Sequence, residues 1–463
     1  MKFIGREKEL GQLDALYHQP GFQMVVMYGR RRVGKTTLLN EFTRDKRSIF
    51  YMATRTSAGD NLAGLSRAIL AGSGIDGMGA SFSGYPEAFH SLTGMARSER
   101  LVVVLDEFPY LLEVVAGITS VLQKVIDQEW LRSGIMLILC GSSISMMEDE
   151  VLSEKSPLYG RRTAQMDIQP FDYRAAAEFV PDYSPENKAL SYGITGGIPK
   201  YLSMLDPGKS LEDNIIALFF DDAGFFFEEP GNLLQQEFRN VAAYNTLLQA
   251  VAGGAVQVSE MSQKTHMDTA LISQMLRRLL RIRIVRKDVP VPRQQNKRYT
   301  QYVLQDGMFR FWFAYVASAA NAVERGYGAE YFRQRVKPSL HNYMGSEFEG
   351  ICRQYLWNHL MDFSGELFIT DVGKWRGMDA EKREPADIDV VGIDDSSKTA
   401  VAGECKFKRE KMGARELATL KHRAGLIRPY QVKDFLLFSL SGFSPDLPAE
   451  PGVRLVTLED MYR

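Results

Sequence analysis

Gly29 and Gly34 stand five residues apart, enclose Arg30, Arg31, Arg32 and Val33, and are followed at once by Lys35, Thr36 and Thr37. An apolar run over 22–28 precedes this loop and a helical pattern over 37–42 follows it. A glycine-bearing turn between strand and helix wraps an anion with inward-pointing N–H groups, the lysine adds charge at the β and γ phosphates, and the threonine hydroxyl can ligate Mg²⁺. The chemistry is binding of a nucleoside triphosphate. Further on, the apolar run 101–105 ends in Asp106 and Glu107. Asp106 is expected to hold Mg²⁺ through water, and Glu107 to orient and deprotonate the attacking water, which makes the expected activity hydrolysis rather than binding alone. A third apolar run, 135–140, closes in Gly141, Ser142 and Ser143. Ser142 is a candidate sensor of the γ-phosphate; the other reading is a serine turn that caps the next helix. Arg161 and Arg162 either reach a phosphate in the same or a neighbouring subunit or are solvated surface.

Elements must carry these residues, and the chain is long enough for several units. At 463 residues it exceeds what one hydrophobic core normally supports, and about three units are expected. With 45% hydrophobic and 24% charged residues, it has the composition of an ordinary folded protein. Cys140, Cys352 and Cys405 are its three cysteines, odd in number and widely scattered, which argues against a disulfide framework and for a reducing interior. No apolar run approaches the roughly eighteen residues of a membrane helix, and the first residues lack the apolar core of a signal peptide. A cytoplasmic protein without membrane contact is expected.

The net charge of −1 hides a local concentration. Between 262 and 300 stand ten Lys or Arg against Asp268 and Asp288, a local net charge of +8. The same stretch reads as a winged helix, with helices at 242–252, 258–265 and 269–281 and then a β-ribbon from 284–291 and 298–303 around 292–297. Ile272, Met275, Leu276 and Leu279 recur at helical spacing and face a core, which leaves Ser273, Gln274, Arg277, Arg278 and Arg281 on the opposite face. An Arg-studded helix and wing suit a duplex backbone, so DNA is the expected partner; the alternative is a protein contact whose charges only solvate. Arg283 stands where such modules commonly carry Gly, so the chain either avoids the left-handed conformation there or accepts strain. Upstream, short helical patterns over 171–229 read as a lid, and Phe225, Phe226 and Phe227 are expected to be buried beside it.

In the last third, 309–320 is an aromatic-rich helix and 345–360 an amphipathic one, with Phe348, Ile351, Tyr355 and Leu356 on one face and Glu349 beside them. Strands are expected at 366–372, 388–392 and 400–407. Strand alternation puts Glu404 and Lys406 on one face and Cys405 on the other, where Asp389 and Glu349 can converge with the first two. Carboxylates around Mg²⁺ held by Asp389 and Glu404, with Lys406 beside them, suit phosphodiester hydrolysis. Asp387 is an alternative to Asp389, whereas His341, Lys374 and Arg376 carry no clear catalytic information. The competing reading is an inert binding platform whose acids pair with the lysine.

Taken in order, Phe3, Ile4, Gly5, Arg6 and Glu7, the loop from Gly29 to Thr36, the Leu105, Asp106, Glu107 corner, Cys140 to Ser143, and Gly196, Gly197, Ile198 and Pro199 resemble the archaeal-type and bacterial ATPases of the AAA+/STAND group. The resemblance implies that Ile4, Gly5, Arg6 and Pro199 approach adenine, that ATP and Mg²⁺ are the cofactors, and that a neighbour's arginine completes the site in a homo-oligomer. The region from Tyr302 to Phe313, with Asp389, Glu404 and Lys406, resembles the uncharacterised domain fused to such ATPases, itself similar to PD-(D/E)XK nucleases. The implied fold class is α/β. It comprises a P-loop NTPase (AAA+-like) core at 1–170, helical lid and linker at 171–235, winged helix at 236–303, helical connector at 304–340, and restriction-endonuclease-like α/β domain at 341–463.

Overall fold

A computed structural model describes residues 3–75, 80–97, 99–292, 299–360 and 368–463. The chain divides into two compact units, Met1–Pro170 and Phe171–Arg463.

In the first unit, β1 (Gln23–Tyr28), β2 (Ser48–Met52), β3 (Leu101–Asp106), β4 (Ile135–Gly141) and β5 (Ala164–Asp167) form one sheet in the order β2-β3-β4-β1-β5. Every pairing is parallel. All residues of β1, β3 and β4 are buried, as their unbroken apolar runs require in a sheet covered on both faces. Alternation sorts these side chains: Met24, Val26, Leu101, Val103 and Leu137 enter one core, while Val25, Met27, Val102, Val104 and Ile138 enter the other. Because β4 lies between β1 and β3, the C-terminal ends of all three meet at one sheet edge. The loop after β1, the acids at the end of β3 and Ser142 after β4 are thereby brought together, where open parallel sheets bind ligands.

The second unit begins with helices Tyr173–Ala177, Pro185–Thr195, Pro199–Leu202, Leu211–Phe219 and Glu229–Glu237. Gly196 ends the second of these at φ 64° and Gly197 follows at φ 70°, two left-handed residues that turn the chain into Pro199. Phe226 is fully buried, stacked on Phe219 and edge-on to Tyr201, and Phe225 and Phe227 are partly buried against the same core. Helices Val241–Ala252, Val258–Thr265 and Thr269–Arg281 come next, followed by an antiparallel ribbon of β6 (Val285–Asp288) and β7 (Gln301–Leu304). Ile272, Met275, Leu276 and Leu279 are the buried face of the third helix, and Asp268 caps it through the N–H groups of Ala270 and Leu271. The expected ribbon tip at 293–297 and the start of its return strand at Arg298 lie outside the described residues. Arg283 takes the left-handed conformation, φ 59°, and so accepts the strain a glycine would avoid.

After the aromatic-rich helical region, the Leu340–Asn358 helix packs on a five-stranded sheet of β8 (Asp371–Asp379), β9 (Glu384–Asp394), β10 (Thr399–Lys406), β11 (Gln431–Ser439) and β12 (Val453–Thr457), ordered β12-β11-β10-β9-β8. β8, β9 and β10 are antiparallel neighbours; β10, β11 and β12 run parallel, with the Ala414–Ala424 helix crossing from β10 to β11. Residues 366 and 367 of the strand expected at 366–372 lie outside the described residues, and the strand found next to it spans Asp371–Asp379. It is an edge strand in which charged Lys374 and Arg376 interrupt the apolar signal. Among the described residues no single helix is long and apolar enough to cross a membrane.

Candidate functional site

The loop after β1 is built by exclusion. A Cβ on Gly29 would lie 2.4 Å from the Ile168 carbonyl oxygen, so only glycine lets the loop pass β5's exit, and Gly34 at φ 84° starts the Lys35–Thr43 helix. Lys35 is buried and its ammonium donates to the carbonyls of Gly29 (2.8 Å) and Arg30 (3.0 Å). Burial lowers its pKa, and nearby Cys140, Glu107 and Asp106 partly offset this. The Thr36 hydroxyl donates to Asp106 Oδ2 at 2.7 Å, joining the loop to the end of β3. Glu107 sits at φ 50°, a left-handed corner at the strand end. Its carboxylate accepts from the Ser142 hydroxyl at 2.7 Å and the Ser142 N–H at 3.3 Å. Ser142 therefore engages the acid, and it is Ser143, without a side-chain bond, that precedes the Ile144–Met146 helix. Burial foremost, then the Asp106 charge, pushes the pKa of the neighbouring Cys140 thiol up.

The surrounding residues divide. Val33 and Arg30 are buried, and Arg31 donates to the Tyr110 hydroxyl at 3.1 Å; Arg32 takes φ 73°, and Thr37 is exposed. Ile4 is half-buried, and Gly5 and Arg6 are consecutive left-handed residues that lead into the Glu7–Tyr17 helix. The Arg6 guanidinium clips this segment to the loop by donating to the carbonyls of Val33 (3.0 Å) and Gln169 (2.6 Å) and to Glu9 (2.9 Å). Its work is therefore at least partly architectural, which a motif cannot reveal. Pro199 opens the Pro199–Leu202 helix of the second unit.

Arg161 is engaged inside its own unit. It makes a bidentate pair with Asp127 (2.7 and 2.6 Å) and donates to the carbonyls of Pro157 and Tyr159, so its fork is committed within its own unit. Arg162 is exposed. The +8 segment is likewise only partly a surface. Arg277, Arg278 and Arg281 are exposed, but Arg286 pairs with Asp288 and has its pKa lowered, by burial above all.

In the second unit, Gly403 pairs with Val390, which places Glu404 opposite Asp389 on one face of the sheet. Both line a cavity of about 560 Å³ with Glu349, Lys374, Asp387, Lys406, Lys408, Arg415 and Arg423, so the expected convergence occurs. The expected cation position does not take the expected form. The Lys374 ammonium lies 3.2 Å from Glu349, 3.2 Å from Asp387 and 3.6 Å from Asp389, and Lys406 pairs with Glu404 at 2.5 Å. Arg353 donates to the Asp389 carbonyl at 2.8 Å and lies 3.5 Å from Glu349. Burial first, then Asp389, raises the pKa of both Glu349 and Glu404. As arranged, these carboxylates already have protein counter-charges and do not fit a divalent cation. Lys374 was missed because a lone lysine on an edge strand carries no spacing signal.

The family described as an ATPase domain predominantly from Archaea matches residues 3–205, and a family of archaeal and bacterial proteins of unknown function matches residues 312–417. An uncharacterised protein of Methanocaldococcus jannaschii is 28% identical over 407 residues, covering 88% of each chain. An uncharacterised ATP-binding protein of the same organism is 38% identical over 45 residues, 10% of this chain and 76% of its own length. Among solved structures, the Walker-type ATPase PABY2304 of Pyrococcus abyssi aligns at a TM-score of 0.53 and 18% identity, covering 67% of this chain and 96% of that one, a likeness of fold.

Proposed function

Because residues 3–205 match the family of ATPase domains found predominantly in Archaea, we propose that the chain couples ATP hydrolysis in its first unit to contact with duplex DNA by its second. The observation that carries the hydrolytic assignment is the pair of short bonds at the sheet edge, Thr36 to Asp106 and Ser142 to Glu107. Lys35 exchanges its loop carbonyls for the β and γ phosphate oxygens when ATP enters. The Thr36 hydroxyl and the Asp106 carboxylate are a hard-oxygen pair that fits Mg²⁺, which when bound neutralises phosphate charge. Glu107 aligns and deprotonates the attacking water, and Ser142 is placed to relay the state of the γ-phosphate to it. Arg162, exposed and outside the Arg161–Asp127 pair, is the better candidate for a finger offered to a neighbouring copy.

The three helices and ribbon over 241–304 support a winged-helix reading, with Arg277, Arg278 and Arg281 as phosphate contacts. For the terminal sheet, the ion pairs among Glu349, Asp387, Asp389 and Lys374 favour a nuclease-like platform that binds without cutting in this arrangement. The experiment is a paired assay of ATP binding and turnover. Glu107→Gln is expected to keep ATP while turnover falls about 10²-fold or more, and Lys35→Ala to lose nucleotide affinity itself. Near wild-type turnover in Glu107→Gln contradicts the assignment.

A further inference from the structure

Three features of β8 bear on Lys374. First, the register between β8 and β9 slips at this residue: Gly373 faces Val391 but Trp375 faces Ile388, so one residue of β8 opposes two of β9. Such bulges re-aim side chains beside functional sites, and here the single residue is Lys374 and one of the pair is Asp389. Second, the lysine side chain is only 14% exposed, with its ammonium among three carboxylates that come from the Leu340–Asn358 helix and from β9. Third, β8 is held from outside by the chain that leaves β6. The Val291 N–H donates to the Lys374 carbonyl at 2.8 Å, Gly373 packs so closely on Val291 that a Cβ there would meet its Cγ1 at 2.9 Å, and Arg376 donates to Asp288 at the end of β6 at 2.7 Å.

We propose that Lys374 is a built-in counter-ion that excludes divalent cations from the carboxylates of Glu349, Asp387 and Asp389, held in place by the β6 ribbon through Val291 and Asp288. The proposal rests on the reading of this cavity as nuclease-like, and it supplies a regulator for it. Buried carboxylates crowded together require a cation, and either an ammonium or a metal meets that requirement. Both cannot occupy the same few ångströms, so withdrawal of Lys374 is the condition for a metal to enter. The ribbon that anchors its strand belongs to the same module as the Arg-bearing helix, which makes a DNA-contacting element the natural place from which to move it.

The test is Mn²⁺ binding to the full chain without nucleotide, followed by electron paramagnetic resonance, alongside melting temperature with and without Mn²⁺. Lys374→Met is expected to bind Mn²⁺ about tenfold or more tightly than the wild type, because a like charge some 3 Å from the ion is removed. Adding Asp389→Asn should cancel the gain, and Mn²⁺ should raise the melting temperature of Lys374→Met but not of the wild type. Asp288→Asn, which weakens the Arg376 anchor and leaves Lys374 present, should give a smaller gain in the same direction. If Lys374→Met binds Mn²⁺ no better than a wild type that itself binds through Asp389, the counter-ion role is overturned and the nuclease-like reading stands. If neither protein binds Mn²⁺ while both melt cooperatively, the counter-ion role and the metal-dependent version of that reading fall together.

Discussion

Gly29 illustrates how much of the nucleotide site is decided by what is left out. Its missing Cβ is the space that the Ile168 carbonyl approaches. Gly29→Ala is expected to displace the loop, lowering ATP affinity by about tenfold or more while the unit remains folded, since overpacking one methyl against backbone typically costs 1–3 kcal/mol. Equilibrium binding of a fluorescent ATP analogue with a melting curve on the same sample checks both halves. At this scale the sequence was informative wherever chemistry demands a residue type at a set spacing: Lys35, Thr36, Asp106 and Glu107 stand together as their order implies. It was silent wherever the role is set by a partner distant in the chain. Arg6 binds carbonyls up to 163 positions away, Arg161 an aspartate 34 positions away, and Lys374 an acid 25 positions away. Nothing local distinguishes those side chains from solvated surface.

At the scale of elements, legibility followed periodicity. The three helices of the basic module were readable to within a residue, and in the third a 3.6-residue apolar stripe coincides with the Asp268 cap. β1, β3 and β4 were readable as unbroken apolar runs. β8 was not, because its half-buried edge mixes apolar residues with Lys374 and Arg376, and β11 and β12 carry no motif residue. Charge counting also overstated the uncompensated basic surface, since the half-exposed Arg286 is engaged by Asp288. Position on the element therefore yields a sharper expectation than composition. Reversing Arg277, Arg278 and Arg281 to Glu should reduce DNA affinity about tenfold or more and flatten its salt dependence. Arg286→Gln should instead lower the melting temperature, because Asp288 then keeps only Arg376 of its two cationic partners. Fluorescence anisotropy over a salt series and thermal denaturation separate the two; equal effects of both changes on DNA binding would show that burial does not sort these arginines.

At the scale of the whole molecule, the chain joins an ATPase unit, in which Asp106 and Glu107 stand at a sheet edge, to a unit that carries a basic helix, a ribbon and an acid-lined cavity. Hydrolysis becomes useful to such a protein when the nucleotide state changes what the second unit does, and that dependence is the central claim. By linkage, if DNA affinity depends on the bound nucleotide, ATP affinity must depend on DNA by the same factor. The most direct measurement is duplex DNA affinity of the Glu107→Gln protein, by anisotropy at one fixed salt concentration, first saturated with ATP and then with ADP. The two affinities are expected to differ by about fivefold or more, the lower bound of ordinary coupling, with the difference lost when Lys35→Ala prevents nucleotide binding. Equal DNA affinity in the two nucleotide states, with both nucleotides shown to be bound, would contradict that claim.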